Sequence, residues 1–123
     1  MRLDFDDHSV HKTINAYSTA GITVDGTVQQ EPFVLFGDQL VTNCLPGSIA
    51  GFDALALRKL IEFGQSIIIV GTGAKQVLPG NSVLRTAYEA GVGVEVMTTP
   101  AACRCYNVLV GENRAVLGAF YML

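Results

Sequence analysis

A chain of 123 residues and 13.1 kDa suffices for one domain that buries roughly 65% of its unfolded surface, so its core needs no disulfide or metal staple. Half of the residues are hydrophobic and only 15% are charged, which points to a thick core or to a buried subunit face. The net charge is −3, and the cations stand singly or as the Arg58–Lys59 pair. That excludes a basic stripe for nucleic acid, and no run approaches the roughly 18 apolar residues of a membrane span.

The chain opens with Met-Arg-Leu-Asp-Phe-Asp-Asp, carboxylates where a signal peptide needs an apolar stretch. The protein is therefore expected to stay in the cytoplasm. Asp4, Asp6, Asp7, His8 and His11 have the make-up of a weak chelator, but terminal segments of this kind are usually solvated, and no metal or cofactor is expected.

The first third reads as antiparallel strands. Ile22 to Val24 and Thr27-Val28 flank Asp25-Gly26, a dipeptide suited to a type I′ hairpin turn. Phe33 to Phe36, Gly37-Asp38 and Leu40-Val41 predict a second hairpin, with Pro32 at the entry to its strand. Asn43 to Gly51 is a loop. Asp53 caps a helix whose Ala54, Leu57, Leu60 and Ile61 form one apolar stripe, and Gly64 stops it.

From there strands and helices alternate. Ser66 to Val70 is the unbroken β-branched run of a strand covered on both faces, ended by Gly71-Thr72-Gly73. Asn81 or Ser82 caps a helix with Val83, Leu84, Ala87 and Tyr88 toward the core, and Gly91 closes it. Val92 to Met97 is the next strand. Thr99 then acts as N-cap with Pro100 at the first helical position, and the helix from Ala101 to Val110 is apolar nearly all round, so it is expected to be covered on two sides. Asn113 to Tyr121 gives the last strand. A right-handed crossover sets the 81–91 helix on one sheet face, leaving the first helix or the 100–110 helix for the other. Repeats and linkers are absent, and residues 1–123 read as a single domain.

Three cysteines without a C-x-x-C pattern argue for a reducing compartment and against a zinc site. Cys103 and Cys105 fall on nearly opposite sides of their helix and read as small hydrophobes.

Three segments together carry a family resemblance: Ile67-Ile-Ile-Val-Gly-Thr-Gly73, the run from Gly93 through Thr98-Thr-Pro-Ala-Ala-Cys-Arg-Cys-Tyr-Asn107 to Leu109, and Glu112-Asn-Arg114. The chain resembles a family of small α/β domains of unknown function that includes a mitochondrial respiratory complex I assembly factor and an adipogenesis-associated protein. The resemblance implies an α/β, three-layer fold with a mixed central sheet of about five strands, the last strand antiparallel, plus an N-terminal β-hairpin layer. It implies no established enzyme activity, and a mitochondrial location only for eukaryotic relatives.

Chemistry has one candidate location. Gly71, Thr72 and Gly73 lie at the carboxyl end of the most buried strand, where open α/β sheets place ligands. Lys75 is the only charged residue between Phe63 and Arg85. With the amides near Thr98 and Thr99 at a helix start, and with Asn107 further along that helix, these residues compose a candidate site for a carboxylate, a phosphate or another anionic metabolite. Position 76 is Gln, so the dinucleotide fingerprint fails. No acid, base and nucleophile set is recognisable, since the histidines are His8 and His11 and a Cys/His pair has no support. The reading is a non-enzymatic protein-interaction or assembly-factor-like module. The alternative is an anion-binding protein or enzyme at the Gly71–Lys75 turn, and self-association is compatible with either.

Overall fold

A computed structural model describes residues 11–123; Asp4, Asp6, Asp7 and His8 of the acidic segment lie outside them. Three short strands, β1 (Ile14–Ser18), β2 (Gly21–Val24) and β3 (Thr27–Gln29), form an antiparallel meander. Asp25 and Gly26 take φ of 48° and 86°, the double positive φ that a type I′ turn demands. The second expected hairpin follows as β4 (Phe33–Phe36) and β5 (Gln39–Thr42), with Phe36 opposite Gln39. A single 3₁₀ turn at Ile49–Gly51 then leads into α1 (Ala54–Ile61), where Asp53 accepts the Ala56 amide at 2.9 Å and is the cap its side chain predicts.

The alternating half is β6 (Ile67–Gly71), α2 (Asn81–Ala90), β7 (Gly93–Met97), α3 (Thr99–Gly111) and β8 (Val116–Phe120), and the large sheet has the order β5-β4-β8-β6-β7. The last strand is not the antiparallel one. β8 runs parallel to β6, and β4 is the strand that opposes its neighbours. The cause is α3, which carries the chain back from the carboxyl end of β7 to the start of β8, so that β8 must run the same way. The connection through α2 steps outward from β6 to β7, while α3 steps back across β6 to its other side. With one crossover hand, opposite steps put the two helices on opposite faces.

Alternation along the central strands divides the core accordingly. Val34, Ile68, Val70, Leu117, Ala119 and Tyr121 face α1 and α2 through Leu57, Leu60, Val83 and Ala87. Phe33, Leu35, Ile69, Val116 and Phe120 face α3 through Ala102, Cys103, Tyr106 and Val110, joined by Ile14, Ile22 and Val24 of the small sheet. The second cover expected for α3 is thus the N-terminal meander.

Two side-chain assignments on α2 are corrected. Its N-cap is Gly80, without a side-chain bond, and Asn81 is already helical. Leu84 and Tyr88 are 47% and 87% exposed, and only Val83 and Ala87 are buried. Four residues apart, Val83 and Ala87 fill the space over the sheet by themselves, which turns the Leu84–Tyr88 row onto the flank of the helix.

Candidate functional site

The carboxyl ends of β6 and β7 are the topological switch point of the sheet, since the connections that leave them run to α2 on one face and to α3 on the other. The structure brings Gly71, Thr72, Gly73, Thr98 and Thr99 together there. The two segments are stitched to each other. The Gly73 amide donates to Thr99 Oγ1 at 2.8 Å, the Thr99 hydroxyl donates to the Tyr121 carbonyl at 2.6 Å, and the Thr99 amide donates to the Gly73 carbonyl at 2.9 Å. The Tyr121 amide closes the ring on the Gly71 carbonyl at 3.0 Å. Thr99 is fully buried. A Cβ on Gly71 would stand 2.9 Å from Thr99 Oγ1 and 3.1 Å from Ala102 Cβ, so the glycine is required by the closeness of the helix.

The amides of Thr72, Val77 and Ala101 are engaged as well. Thr72 donates to the Met97 carbonyl at 2.9 Å, extending the β6–β7 ladder by one residue. At the start of α3 the cap is Thr98, whose hydroxyl receives the Ala101 amide at 3.5 Å, and Pro100 is the second helical residue. Thr99 is not the cap because its hydroxyl serves the ends of two strands. The Thr72 hydroxyl donates to the Lys75 carbonyl and receives the Val77 amide at 3.2 Å, which fixes the turn and leaves the Lys75 side chain exposed.

Asn107 lies elsewhere, about 12 Å farther along the helix. Its amide receives the Ile14 N–H at 3.0 Å and donates to the Ile14 carbonyl at 2.7 Å, imitating a strand residue and clamping β1 onto α3. Beside it, a hollow of about 210 Å³ is lined by Asn15, Tyr17, Cys103 and Arg104, with Arg104 donating to the Tyr17 hydroxyl at 2.8 Å.

Neither Cys44 nor Cys103 is an activated thiol. Burial pushes Cys103 up to about 11 against the opposing pull of Arg104, and burial likewise raises Cys44 against Lys59. Burial lifts Tyr121 to about 12 and raises Tyr106 further, with Asp25 adding to the latter. These are acids whose folded values exceed their ordinary ones, so their contribution to stability is whole below pH 9 and is lost as pH climbs through 11 and 12. Thermal denaturation between pH 8 and 12 is expected to show a falling Tm from about pH 9 upward, and Cys103→Ala is expected to flatten the first part of the fall. A Tm constant to pH 11 contradicts this.

Two hollows that sequence reasoning missed flank the stitched junction. One, of about 370 Å³, is bounded by Pro32, Ser48, Thr72, Tyr121 and Met122. The other, of about 130 Å³, lies on the α1 and α2 side between the 3₁₀ turn and the segment entering α2, with Phe52, Val70, Leu78 and Val96 in its wall. Its sequence signal is Val77-Leu78-Pro79, an apolar stretch within a loop. Leu78 is 76% exposed.

The sequence profile of a family described as a protein of unknown function (DUF498/DUF598) matches residues 14–121. The chain belongs to the DUF498/DUF598 family. Its likeness to a crystal structure of a Bordetella parapertussis protein, at 30% identity and a TM-score of 0.86, covers 93% of this chain and 98% of that one. Mouse NADH dehydrogenase (ubiquinone) 1 alpha subcomplex assembly factor 3 is 35% identical over 108 residues, 86% of this chain and 57% of the mouse protein. A 13 kDa major membrane protein of Francisella tularensis is 46% identical over 57 residues, 46% of each chain. The chain thus spans about half the length of these two relatives. Among the described residues of this DUF498/DUF598 protein no helix is long and apolar enough to cross a membrane.

Proposed function

We propose that this protein works as a non-enzymatic, assembly-factor-like interaction module that presents the flank of α2 to a protein partner. One observation carries the reading: Leu84 and Tyr88 stand in the same exposed row of the helix, and an aromatic and a leucine held outward on a rigid element are suited to anchor an interface. Kinship with a protein named an assembly factor supports it. We place its work in the cytoplasm, and the same apolar row permits self-association.

The test compares the wild-type chain with Leu84→Glu and Tyr88→Glu in cross-linked co-purification from the native cell, with sedimentation of each at several concentrations. Both variants are expected to keep the wild-type stability within about 0.5 kcal/mol, because the residues are exposed, and to lose a partner or a second copy that the wild type retains. Equal recovery by all three chains sinks the proposal.

The rival anion site at Gly71–Lys75 draws on amides of Thr72 and Gly73 that already have partners. Millimolar phosphate, sulfate or carboxylates are therefore expected to leave Tm unchanged. A rise that disappears in Lys75→Ala would reinstate it.

A further inference from the structure

Unlike the hollows of about 210 and 370 Å³, the smaller hollow beside the stitched junction has no polar side chain in its wall. Ile49, Phe52, Val70, Val77, Leu78 and Val96 contribute apolar groups. Water entering it finds main-chain atoms at most. Small apolar groups are held in hollows walled by hydrophobic side chains with a few main-chain polar atoms among them.

Its walls are fixed. Val70 and Phe52 are buried in the core on that sheet face, and Val96 belongs to β7. The loop over it is tied down by the Thr72 hydroxyl, through Val77, and by Gln76, whose side-chain amide donates to the Val96 carbonyl at 3.0 Å. Val77 and Leu78 nevertheless remain exposed, so the two side chains best placed to fill the space stand at its rim. The hollow also lies at the carboxyl end of β6 and β7, the edge at which open α/β sheets receive ligands. Its volume of about 130 Å³ is close to the roughly 150 Å³ of an apolar cavity that admits benzene.

We propose that this hollow is a binding site for one small apolar group: a single aromatic ring or a branched aliphatic chain of about four to six carbons. The site does not depend on the partner surface of α2 and stands if that surface proves inert.

Benzene, titrated into methyl-labelled protein and followed by NMR, tests it. The methyls of Ile49, Val70, Val77, Leu78 and Val96 are expected to shift saturably at low millimolar benzene, while those of Ile14 and Val24 on the opposite face stay still. Val96→Phe, and separately Ala50→Phe at an exposed position of the wall, are expected to weaken binding at least tenfold. Ala50→Phe decides the matter should Val96→Phe fail to fold. Non-saturating shifts spread over exposed Val28 and Leu55, or saturable binding undiminished in the folded variants, would overturn the assignment.

Discussion

Thr99→Val is expected to lower stability by about 3 kcal/mol, whereas Thr99→Ser is expected to lose no more than about 1 kcal/mol. Valine preserves the shape of threonine and removes its oxygen. The Gly73 amide and the Tyr121 carbonyl, bonded to that oxygen at 2.8 and 2.6 Å in a fully buried setting, are then both left without a partner. Each buried orphan costs on the order of 1–3 kcal/mol. Serine restores both bonds and sacrifices one methyl contact. The difference corresponds to a drop in Tm of roughly 10 °C, readable by calorimetry. Equal stability of the two variants would mean that the hydroxyl does not hold the strand ends together. A structural consequence follows for function: at the switch point, where a doubly wound sheet often cradles a ligand, this chain has placed its own threonine.

What was legible in the sequence was what neighbouring residues decide. Asp25-Gly26 fixes its hairpin because positive φ is a property of those two residues, and Asp53 caps α1 because its carboxylate needs only the amide three residues on. The division of the sheet into two buried faces was likewise readable from the β-branched run at Ile67 to Val70. The rest depends on distant partners. Thr98 and Thr99 are equally good caps by local rules, and the choice between them is made by Gly73 and Tyr121, 26 and 22 residues away. Asn107 answers to Ile14 across 93 residues, so its polarity on an apolar helix was visible but its task was not. Leu84 and Tyr88 have the spacing of a core stripe, yet the sheet beneath α2 accepts only the adjacent row. The direction of β8 was set by where α3 delivers the chain, which no residue within β8 reports. As for the candidate site, Gly71 to Gly73, Thr98 and Thr99 do meet at one sheet edge, as their places at strand and helix ends suggest. The sequence does not tell that the amides of Thr72, Gly73 and Thr99 there are spent, nor that open space lies to either side.

The second large effect concerns the middle of the central strand. Gly118 pairs with Leu35 on one side and Ile69 on the other, and a glycine at such a position signals a close approach. Here the neighbour is Phe120, two residues on and on the same face, whose ring folds back over Gly118, with Tyr106 Cδ1 only 3.1 Å from where a Cβ would be. That ring cannot swing aside easily. It is packed against Phe33 at 5.3 Å and meets Tyr106 edge to face at 5.8 Å, and both neighbours are fully buried. Gly118→Ala is therefore expected to destabilise the protein by about 3 kcal/mol through overpacking, despite alanine's better strand propensity. Phe120→Leu alone is expected to cost about 2 kcal/mol by leaving a cavity. Since the added methyl and the missing ring portion occupy the same space, the double variant is expected to lose clearly less than the two singles together. Denaturant titration of the four proteins measures this. Additive losses, or a Gly118→Ala protein within about 0.5 kcal/mol of wild type, would show that the Phe120 ring has another place to go.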